Sequence, residues 1–391
     1  MQNYITQISS TSGELYIAGK ESESTEASLG PTIQMYQEEA LGTAAIATAG
    51  YALLYGGRLS CLAATTLAVA AVLFIMQHSS KSALWETHGR AVLITGCDSG
   101  FGFHLAKRLD AMGFCVFAGC LFPEEQGAHL LAGTCSRRLK VIKLDVTKDD
   151  DVTQAKRFIQ SNLPEKGLWA VVNNAGVTDW AETEWNSMSD YYRLAEVNLF
   201  GCIRTTVPFL PLIRSSQGRI VFMSSILAFF NCLNMGSYSI SKRGLEAFAD
   251  CLRVEMASFG VKVSLIQPGN FCPATNIVKQ KTAQEIWDKL DENQQKMFNK
   301  QYIELANEYF KSTCKQGLKD INIVIDALVD ALTSTKPKFR YLLVSRVDKV
   351  FFTILPYLPT FLSDAVFSLS PMYSKRRMML YLPGKTSLEK F

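Results

Sequence analysis

The stretch YSISK, residues 238 to 242, places a phenol and a primary amine four positions apart. If this stretch is helical, Tyr238 and Lys242 lie on one face of the helix. A phenol has a pKa of about 10 and is a poor base at neutral pH, but a neighbouring cation stabilises the phenolate and lowers that value. The spacing therefore predicts a proton-transfer pair. An isolated pair of this kind is also typical of a solvated helix surface.

Two other polar residues can complete such a site. Ser225 stands thirteen residues before Tyr238, at the end of an apolar run, and its hydroxyl can hydrogen-bond a substrate oxygen on which charge develops. Asn198, in AEVNLFG, falls in a predicted helix where an amide is a poor helix former, and it can hold a water that connects Lys242 to solvent. Taken singly, Ser225 can be a turn former and Asn198 a cap. Their joint occurrence favours catalysis.

The segment TGCDSGFG, residues 95 to 102, follows an apolar run and precedes a helical pattern. Its glycines Gly96, Gly100 and Gly102 allow a tight turn and let the backbone approach a pyrophosphate at a helix start. The segment predicts a nicotinamide dinucleotide site, and the positive ring of the oxidised cofactor would add to the lowering of the phenol pKa.

NADP sites normally offer Arg or Lys before the second glycine or after the second strand. Those places hold Ser99 and GCLFPE (119–124), so NAD is predicted, although the customary acid for the ribose hydroxyls is also missing immediately after the strand.

The elements that must position these residues are visible as apolar runs in alternation with helical stretches. The runs are continuous, as in strands buried on both faces of a parallel sheet. They occupy residues 90–96, 114–119, 139–146, 168–176, 219–225 and 261–269. The fold class is therefore predicted to be α/β, a doubly wound parallel sheet of the Rossmann type with a helical C-terminal extension.

The helix that begins near Tyr238 is predicted to be anchored on this sheet. Its buried stripe is predicted to comprise Leu245, Phe248, Ala249, Leu252, Met256 and Phe259. Gly260 is a suitable terminator. Residues 279–334, which are rich in Lys, Glu and Gln, are predicted to form further helices on the substrate side.

Across about residues 88 to 275, the chain resembles the short-chain dehydrogenase/reductase family. The matching motifs are TGxxxGxG, an Asp after the third strand, NNAG, the Asn, the Ser, YxxxK and PG. The resemblance implies a catalytic tetrad of Asn198, Ser225, Tyr238 and Lys242. Segments such as TGCDSGFGF, PEKGLWAVVNNAG and QPGNF are similar to the branch that contains D-beta-hydroxybutyrate, 17-beta-hydroxysteroid and microsomal retinol dehydrogenases.

The resemblance also implies the cofactor contacts. Asp145 would touch adenine, Asn174 would line the ribose side, and the PG segment with Thr275 would bound the nicotinamide. The complete set of implied cofactor residues is Gly96, Ser99, Gly100, Phe101, Gly102, Asp145, Asn174, Ala175, Gly176, Tyr238, Lys242, Pro268, Gly269 and Thr275.

The segment ILAFFNCLNMGS (226–237), which lines the substrate in this family, contains no basic residue. A short hydroxy acid needs a cation or several donors for its carboxylate. The apolar side chains instead suit a lipophilic secondary alcohol or ketone, steroid-like or retinoid-like. Two alternatives stay open: a 3-hydroxybutyrate dehydrogenase, and a non-catalytic dinucleotide-binding sensor. The apolar side chains can also simply pack under the active-site loop.

Composition predicts four regions along the chain: a disordered polar tail (1–40), a hydrophobic membrane segment or pair of segments (41–77), the Rossmann-type domain (88–345), and an apolar and basic extension (346–391) that can lie at a membrane surface. The last 18 residues of the apolar run, Leu59–Met76, carry no charge. Endoplasmic reticulum is the favoured location because residues 1–40 do not resemble a transit peptide, and mitochondrion is the alternative. Membrane lipid is therefore a predicted partner.

Net charge, cysteine spacing and histidine positions argue against several other classes of function. Net charge is only +4, with basic residues scattered, which argues against nucleic acid as a partner. The ten cysteines form no C-x-x-C pair, so no metal site is predicted. The four histidines all precede residue 130, which disfavours a Ser-His-Asp hydrolase. The oligomeric state stays open, with a homo-oligomer as one alternative.

Overall fold

The computed structural model describes residues 83–275, 277–278, 281–298, 300–368 and 373, all within the unit Ser82–Phe391. The predicted tail 1–40 and apolar segment 41–77 lie outside the described residues, as does the predicted extension beyond residue 368 apart from Tyr373. The described α-helices are α1 (Gly100–Ala111), α2 (Gln126–Thr134), α3 (Asp149–Ser161), α4 (Met188–Ala195), α5 (Gly201–Ser215), α6 (Gly236–Ala257), α7 (Ala283–Trp287), α8 (Glu292–Met297), α9 (Lys300–Lys315), α10 (Asn322–Thr333), α11 (Arg346–Ile354) and α12 (Thr360–Ser368).

A parallel sheet forms the centre of the described chain. Its strands run in the spatial order β3-β2-β1-β4-β5-β6-β7, and each neighbouring pair is parallel. They are β1 (Ala91–Thr95), β2 (Cys115–Cys120), β3 (Leu139–Lys143), β4 (Leu168–Asn173), β5 (Arg219–Met223), β6 (Lys262–Pro268) and β7 (Arg340–Leu343). The predicted Rossmann-type sheet is confirmed. Strand β7 was not predicted. Its sequence, RYLL, has four residues and begins with an arginine, so it does not form a continuous apolar run.

Burial on both faces explains why the strands are uniformly apolar. All five residues of β1 are buried. Val92 and Ile94 enter the hydrophobic core on one face of the sheet, where helices α1 and α10 pack. Ala91 and Leu93 enter the core on the other face. Alternate side chains of a strand point to opposite faces of the sheet. A strand therefore needs an unbroken apolar run to place apolar side chains in the cores on both faces.

The order of the strands determines where a site can form. The chain moves outward from β1 through β2 to β3, then crosses back to β4 on the other side of β1. Connections that leave in opposite directions open a crevice at the carboxyl ends of β1 and β4, where doubly wound proteins bind their ligands. The glycine segment follows β1, and the NNAG segment continues from β4, so both meet at this crevice.

Helix α6 begins two residues before Tyr238 and packs mainly as predicted. Leu245, Ala249, Leu252 and Met256 are buried, and Phe248 is half-buried. Phe259 was wrongly placed in the stripe. The helix ends at Ala257, so this side chain lies beyond it and is 44% exposed. Gly260, with φ of +73°, reverses the chain three residues after the last helical residue.

The extension after β7 folds as helices α11 and α12, joined through a short 3-10 turn at Leu355–Tyr357. Phe351 and Phe352 of α11 and Phe367 of α12 contact Phe230, which follows β5. Among the described residues, none of the helices combines the length and apolar character that crossing a bilayer requires.

Candidate active site

The glycine turn between β1 and α1 has the geometry that a dinucleotide needs. Gly96 and Gly100 have φ of +69° and +60°, in the left-handed region that favours glycine. A Cβ on Gly102 would lie 2.2 Å from the carbonyl oxygen of Gly96. The cap residue Ser99 is exposed and makes no capping hydrogen bond through its side chain, so the first N–H groups of α1 stay available to an anion. These residues fit the pyrophosphate of a nicotinamide dinucleotide.

Thr95 couples the glycine turn to the NNAG segment. Its hydroxyl accepts hydrogen bonds from the backbone N–H groups of Asn174 (3.0 Å) and Ala175 (2.9 Å). The amide of Asn174 donates in return to the carbonyl oxygens of Thr95 (2.8 Å) and Gly96 (2.9 Å). Thr95 was not among the predicted site residues. A hydroxyl at the end of a fully buried strand was the signal in the sequence.

The glycine turn places the acidic side chain of Asp98 beside the end of β2. The carboxylate of Asp98 accepts hydrogen bonds from the backbone N–H groups of Leu121 (3.0 Å) and Phe122 (2.9 Å), the first residues after β2. Sequence reasoning looked for this acid only behind the strand and missed it. Its charge now lies beside the loop that faces the adenosine ribose in a Rossmann-type site.

Other predicted cofactor residues surround the same crevice. Thr275 faces the glycine turn, since a Cβ on Gly100 would lie 3.9 Å from its side chain. Phe101 contacts Phe271 edge-on at 6.0 Å between ring centroids. The carboxylate of Asp145 accepts from Thr147 and organises the turn after β3; its contact with adenine stays a prediction.

The structure brings Ser225, Tyr238 and Lys242 together at one wall of a cavity. All three side chains are buried. The Ser225 hydroxyl accepts from the N–H of Leu227 at 3.2 Å and lies near enough to the Tyr238 phenol to lower its pKa. The Lys242 ammonium lies 5.7 Å from the centroid of the Tyr238 ring and donates to the carbonyl oxygen of Met223 at 2.8 Å.

Asn198 occupies a widened helical turn rather than a regular α-helix. A π-helical turn, Glu196–Phe200, separates α4 from α5, and such turns occur often at functional sites. The Asn198 side chain is fully buried: its oxygen accepts from the N–H of Val177 (2.9 Å), and its amide donates to the Val177 carbonyl (2.8 Å) and the Ser241 hydroxyl (3.0 Å). A Cβ on Gly176 would lie 3.2 Å from the Asn198 oxygen and 3.6 Å from the Lys242 nitrogen, so all three meet. Its water-holding role stays a prediction.

Burial is the largest cause of the pKa shifts of Tyr238 and Lys242, and neighbouring charges have a smaller effect. Burial raises the pKa of Tyr238, and the hydrogen bond from Ser225 opposes that rise. Burial also lowers the pKa of Lys242, while Glu246 acts in the opposite direction. The expected lowering of the phenol pKa is therefore not achieved by the lysine alone. The further lowering expected from the positive charge of an oxidised nicotinamide ring stays a prediction.

A buried carboxylate beneath the site was not anticipated. Glu246, four residues after Lys242 on the same helix face, accepts hydrogen bonds from the Ser224 hydroxyl (2.6 Å) and the Gln267 amide (2.8 Å). Arg340 of β7 lies 3.6 Å from its second oxygen. These contacts fasten the end of β5, β6 and β7 to α6 directly behind the predicted catalytic residues. An acid inside an otherwise apolar stripe was the signal in the sequence.

The cavity in front of Tyr238 has a volume of about 320 Å³. Apolar side chains dominate its wall, and among the described lining residues Lys242 is the only one with an ionisable acidic or basic side chain apart from tyrosines and cysteines. From the segment predicted to contact substrate, the cavity is lined by Ile226, Leu227, Phe230, Cys232, Leu233, Asn234 and Met235. Ala228 and Phe229 instead line a separate depression beside α12. Trp180 and Phe310, stacked at 4.7 Å, complete the wall and were not predicted.

Replacing Gly102 by alanine is expected to abolish tight NADH binding and to lower the free energy of unfolding by about 1–3 kcal/mol. The added methyl would overlap the backbone of the turn, which cannot move aside as a flexible side chain could. Fluorescence titration with NADH and thermal unfolding measure the two effects. Gly133→Ala in α2 is the matched control, because the new methyl meets no described atom within 4 Å. NADH affinity equal to wild type in Gly102→Ala would contradict the assignment of the turn.

Comparisons with known proteins agree with this geometry. The sequence profile described as short chain dehydrogenase matches residues 90–286. A rat protein named D-beta-hydroxybutyrate dehydrogenase, mitochondrial, is 42% identical over 287 residues, which cover 71% of this chain and 84% of that protein. Human 17-beta-hydroxysteroid dehydrogenase type 6 is 40% identical over 285 residues, covering 71% and 88%. A solved short-chain dehydrogenase from Streptomyces avermitilis shares the fold, with a TM-score of 0.56 at 24% identity over 76% of this chain and 98% of that one.

Proposed function

From the premise that the chain belongs to the short-chain dehydrogenase family and is an oxidoreductase acting on CH–OH groups, we propose that it transfers hydride between NAD(H) and a lipophilic secondary alcohol or the corresponding ketone. The substrate is steroid-like or retinoid-like in its apolar body. The site residues are Asn198, Ser225, Tyr238 and Lys242.

The observation that carries this proposal is the chemistry of the cavity wall. Tyr238 and Ser225 present hydroxyls to a space lined by aromatic and aliphatic side chains. Burying a carboxylate requires a cation or several donors. The one lining cation among the described residues, Lys242, already donates to the Met223 carbonyl. A neutral apolar substrate needs no further charge, so it suits this cavity.

Each protein group then has a role in the reaction. When bound, the nicotinamide accepts or supplies the hydride at the substrate carbon. Ser225 hydrogen-bonds the substrate oxygen and steadies the charge that develops on it. In alcohol oxidation the hydroxyl proton passes to the Tyr238 oxygen as the C–H bond breaks and the carbonyl forms; in reduction the phenol returns that proton. Lys242 stabilises the phenolate, and Gly176 brings Asn198 next to the lysine.

NAD is the proposed cofactor because of Asp98. Its carboxylate is held against the loop after β2 by two backbone N–H groups. A 2′-phosphate on the adenosine ribose would meet this negative charge, whereas ribose hydroxyls would not be repelled. The absence of Lys and Arg from Ser99 and from residues 119–124 supports the same choice.

A membrane location is part of the proposal. It is supported by the uncharged run Leu59–Met76, and by exposed apolar side chains on the described C-terminal extension, among them Val350, Tyr357 and Phe361. Lipophilic substrates partition into lipid, so an enzyme at a membrane meets them at high local concentration. Endoplasmic reticulum is the favoured membrane, with mitochondrion as the alternative.

The second candidate substrate is 3-hydroxybutyrate, and a specific observation favours it: the relative that is 42% identical is named a D-beta-hydroxybutyrate dehydrogenase. The two candidates differ in charge. Since an uncompensated buried charge costs on the order of 3 kcal/mol, the cavity is expected to discriminate strongly between them.

We therefore expect kcat/KM with NAD to be roughly a hundredfold higher for a steroid or retinoid alcohol than for 3-hydroxybutyrate. NADH absorbance with a panel of steroid alcohols, retinol and 3-hydroxybutyrate measures this ratio, and parallel assays with NADP test the cofactor. Preference for 3-hydroxybutyrate would overturn the substrate class. Tight NAD binding without turnover of any alcohol would instead favour the sensor.

A further inference from the structure

Asn234 is a polar residue of the cavity lining that has no role in the mechanism above. Asn234, four residues before Tyr238, is only 7% exposed and lines the cavity. Neither its amide nitrogen nor its amide oxygen has a hydrogen-bond partner among the described residues. A buried amide that gives up its hydrogen bonds to water without replacing them is costly.

The other buried asparagines of the described chain show how unusual this is. Asn198 makes hydrogen bonds through both amide atoms. Asn173 and Asn307 lack a partner at the oxygen only, and their amide nitrogens are paired. Among the buried asparagines that the structure describes, Asn234 alone leaves both a donor and an acceptor unused.

The backbone holds this amide in place. Asn234 has φ of +64°, in the left-handed region that asparagine tolerates better than most residues. Its carbonyl oxygen accepts from the N–H of Ala181 at 2.8 Å, which ties the loop to the opposite wall next to Trp180. The conformation explains why an asparagine is acceptable at this position. It does not explain why the amide is buried without a hydrogen-bond partner among the described residues.

We propose that the Asn234 amide binds a second, uncharged oxygen of the substrate, distinct from the oxygen that reacts at Tyr238. This inference rests on the proposed function and narrows its substrate class. An amide both donates and accepts, so it matches a hydroxyl and also serves a carbonyl or ether oxygen. The substrate is then a lipophilic secondary alcohol or ketone that carries another neutral oxygen on its apolar body.

Geometry limits how far apart the two oxygens lie. Asn234 precedes the first turn of α6, and Tyr238 belongs to that turn. The second oxygen is therefore expected part of the way along the apolar body. Leu233 and Met235, which also line the cavity, flank the amide with apolar surface, so a group placed at the wrong distance would be buried without a partner.

The test uses flexible probes of known chemistry: a secondary nonanol, the diols made by adding a second hydroxyl at successive carbons, and their methyl ethers at that second position. Calorimetry on NADH-loaded protein measures binding without reaction, and NADH formation from NAD measures oxidation. We expect wild type to bind one diol and its methyl ether about tenfold more tightly than the nonanol. Asn234→Gly, which keeps the positive φ and removes the amide, is expected to abolish both preferences.

Two further variants sharpen the result. Asn231→Gly, in the same loop but exposed, introduces equal backbone freedom and is expected to retain both preferences. Asn234→Ala removes the amide while keeping a Cβ, so it should lose the preference for the diol and the preference for the ether. This loss supports the proposal even if Asn234→Gly fails to fold.

Failure of this inference is distinguishable from failure of the proposed function. Oxidation of the alcohols by wild type with no preference for any diol overturns the role of Asn234 and leaves the function standing. A diol preference in calorimetry without oxidation supports the role of Asn234 and overturns the function. Preferences that survive in Asn234→Gly also overturn the inference.

Discussion

Tyr238→Phe is expected to reduce kcat by roughly 10²–10⁴-fold, the usual contribution of a positioned acid or base, while the affinity for NADH stays close to that of wild type. The substitution removes one oxygen and preserves the buried ring. That oxygen lies beside Ser225 in the cavity wall, whereas the residues that fit the pyrophosphate of the dinucleotide belong to the glycine turn. Single-turnover measurements of hydride transfer, with fluorescence titration of NADH, separate the two effects.

Tyr191→Phe is the control for this experiment. It removes a phenol that donates to the Thr183 carbonyl outside the catalytic wall, so activity should be retained. Equal loss of NADH affinity and turnover in Tyr238→Phe would mean that the phenol acts in binding or folding, and the acid/base assignment would then be wrong.

Lys242→Ala is expected to move the pH at which alcohol oxidation begins to higher values and to lower the rate at neutral pH. Oxidation needs the phenolate of Tyr238, whose pKa burial already raises. Removing the ammonium takes away a cation that favours the charged phenolate, so the pKa rises further. Ketone reduction needs the neutral phenol, and its rate should therefore persist to higher pH. Profiles of kcat/KM against pH in both directions measure these opposite shifts.

The groups facing Lys242 must be considered in that experiment. Glu246 and Cys202 both favour its charged form, while burial opposes it. Lys262→Ala is a suitable control, because this lysine stands at the amino end of β6, the opposite end from Pro268 at the cavity. A pH profile in Lys242→Ala that coincides with wild type would argue against phenolate stabilisation by the lysine.

The tertiary structure also changes how the acid/base pair is understood. From the sequence, the lysine and the positive ring of the oxidised cofactor were together expected to lower the pKa of the phenol. In the folded chain both groups are buried, and the ammonium donates to a backbone carbonyl at the end of β5. Burial penalises the charged form of each group. In the proposed mechanism, proton transfer in oxidation would therefore need the positive charge of the oxidised cofactor as well as that of Lys242.

The sequence by itself determined the parallel sheet and the glycine turn, and it predicted which groups react. These follow from local rules: unbroken apolar runs for strands buried on two faces, glycines where the backbone must turn and approach an anion, and an i, i+4 pair on one helix face. Thr95 and Glu246 left a weaker signal of the same kind, as polar residues inside apolar patterns.

Only the tertiary structure decided which distant residues meet. It carried Asp98 to the loop after β2, stacked Trp180 on Phe310 and placed Phe229 in a depression separate from the cavity. It also left the Asn234 amide without a hydrogen-bond partner among the described residues. It also set the direction of the pKa shift at Tyr238. Each of these depends on burial and on contacts between segments far apart in the chain. Local periodicity does not encode such contacts, because they arise only when the sheet and its loops pack together.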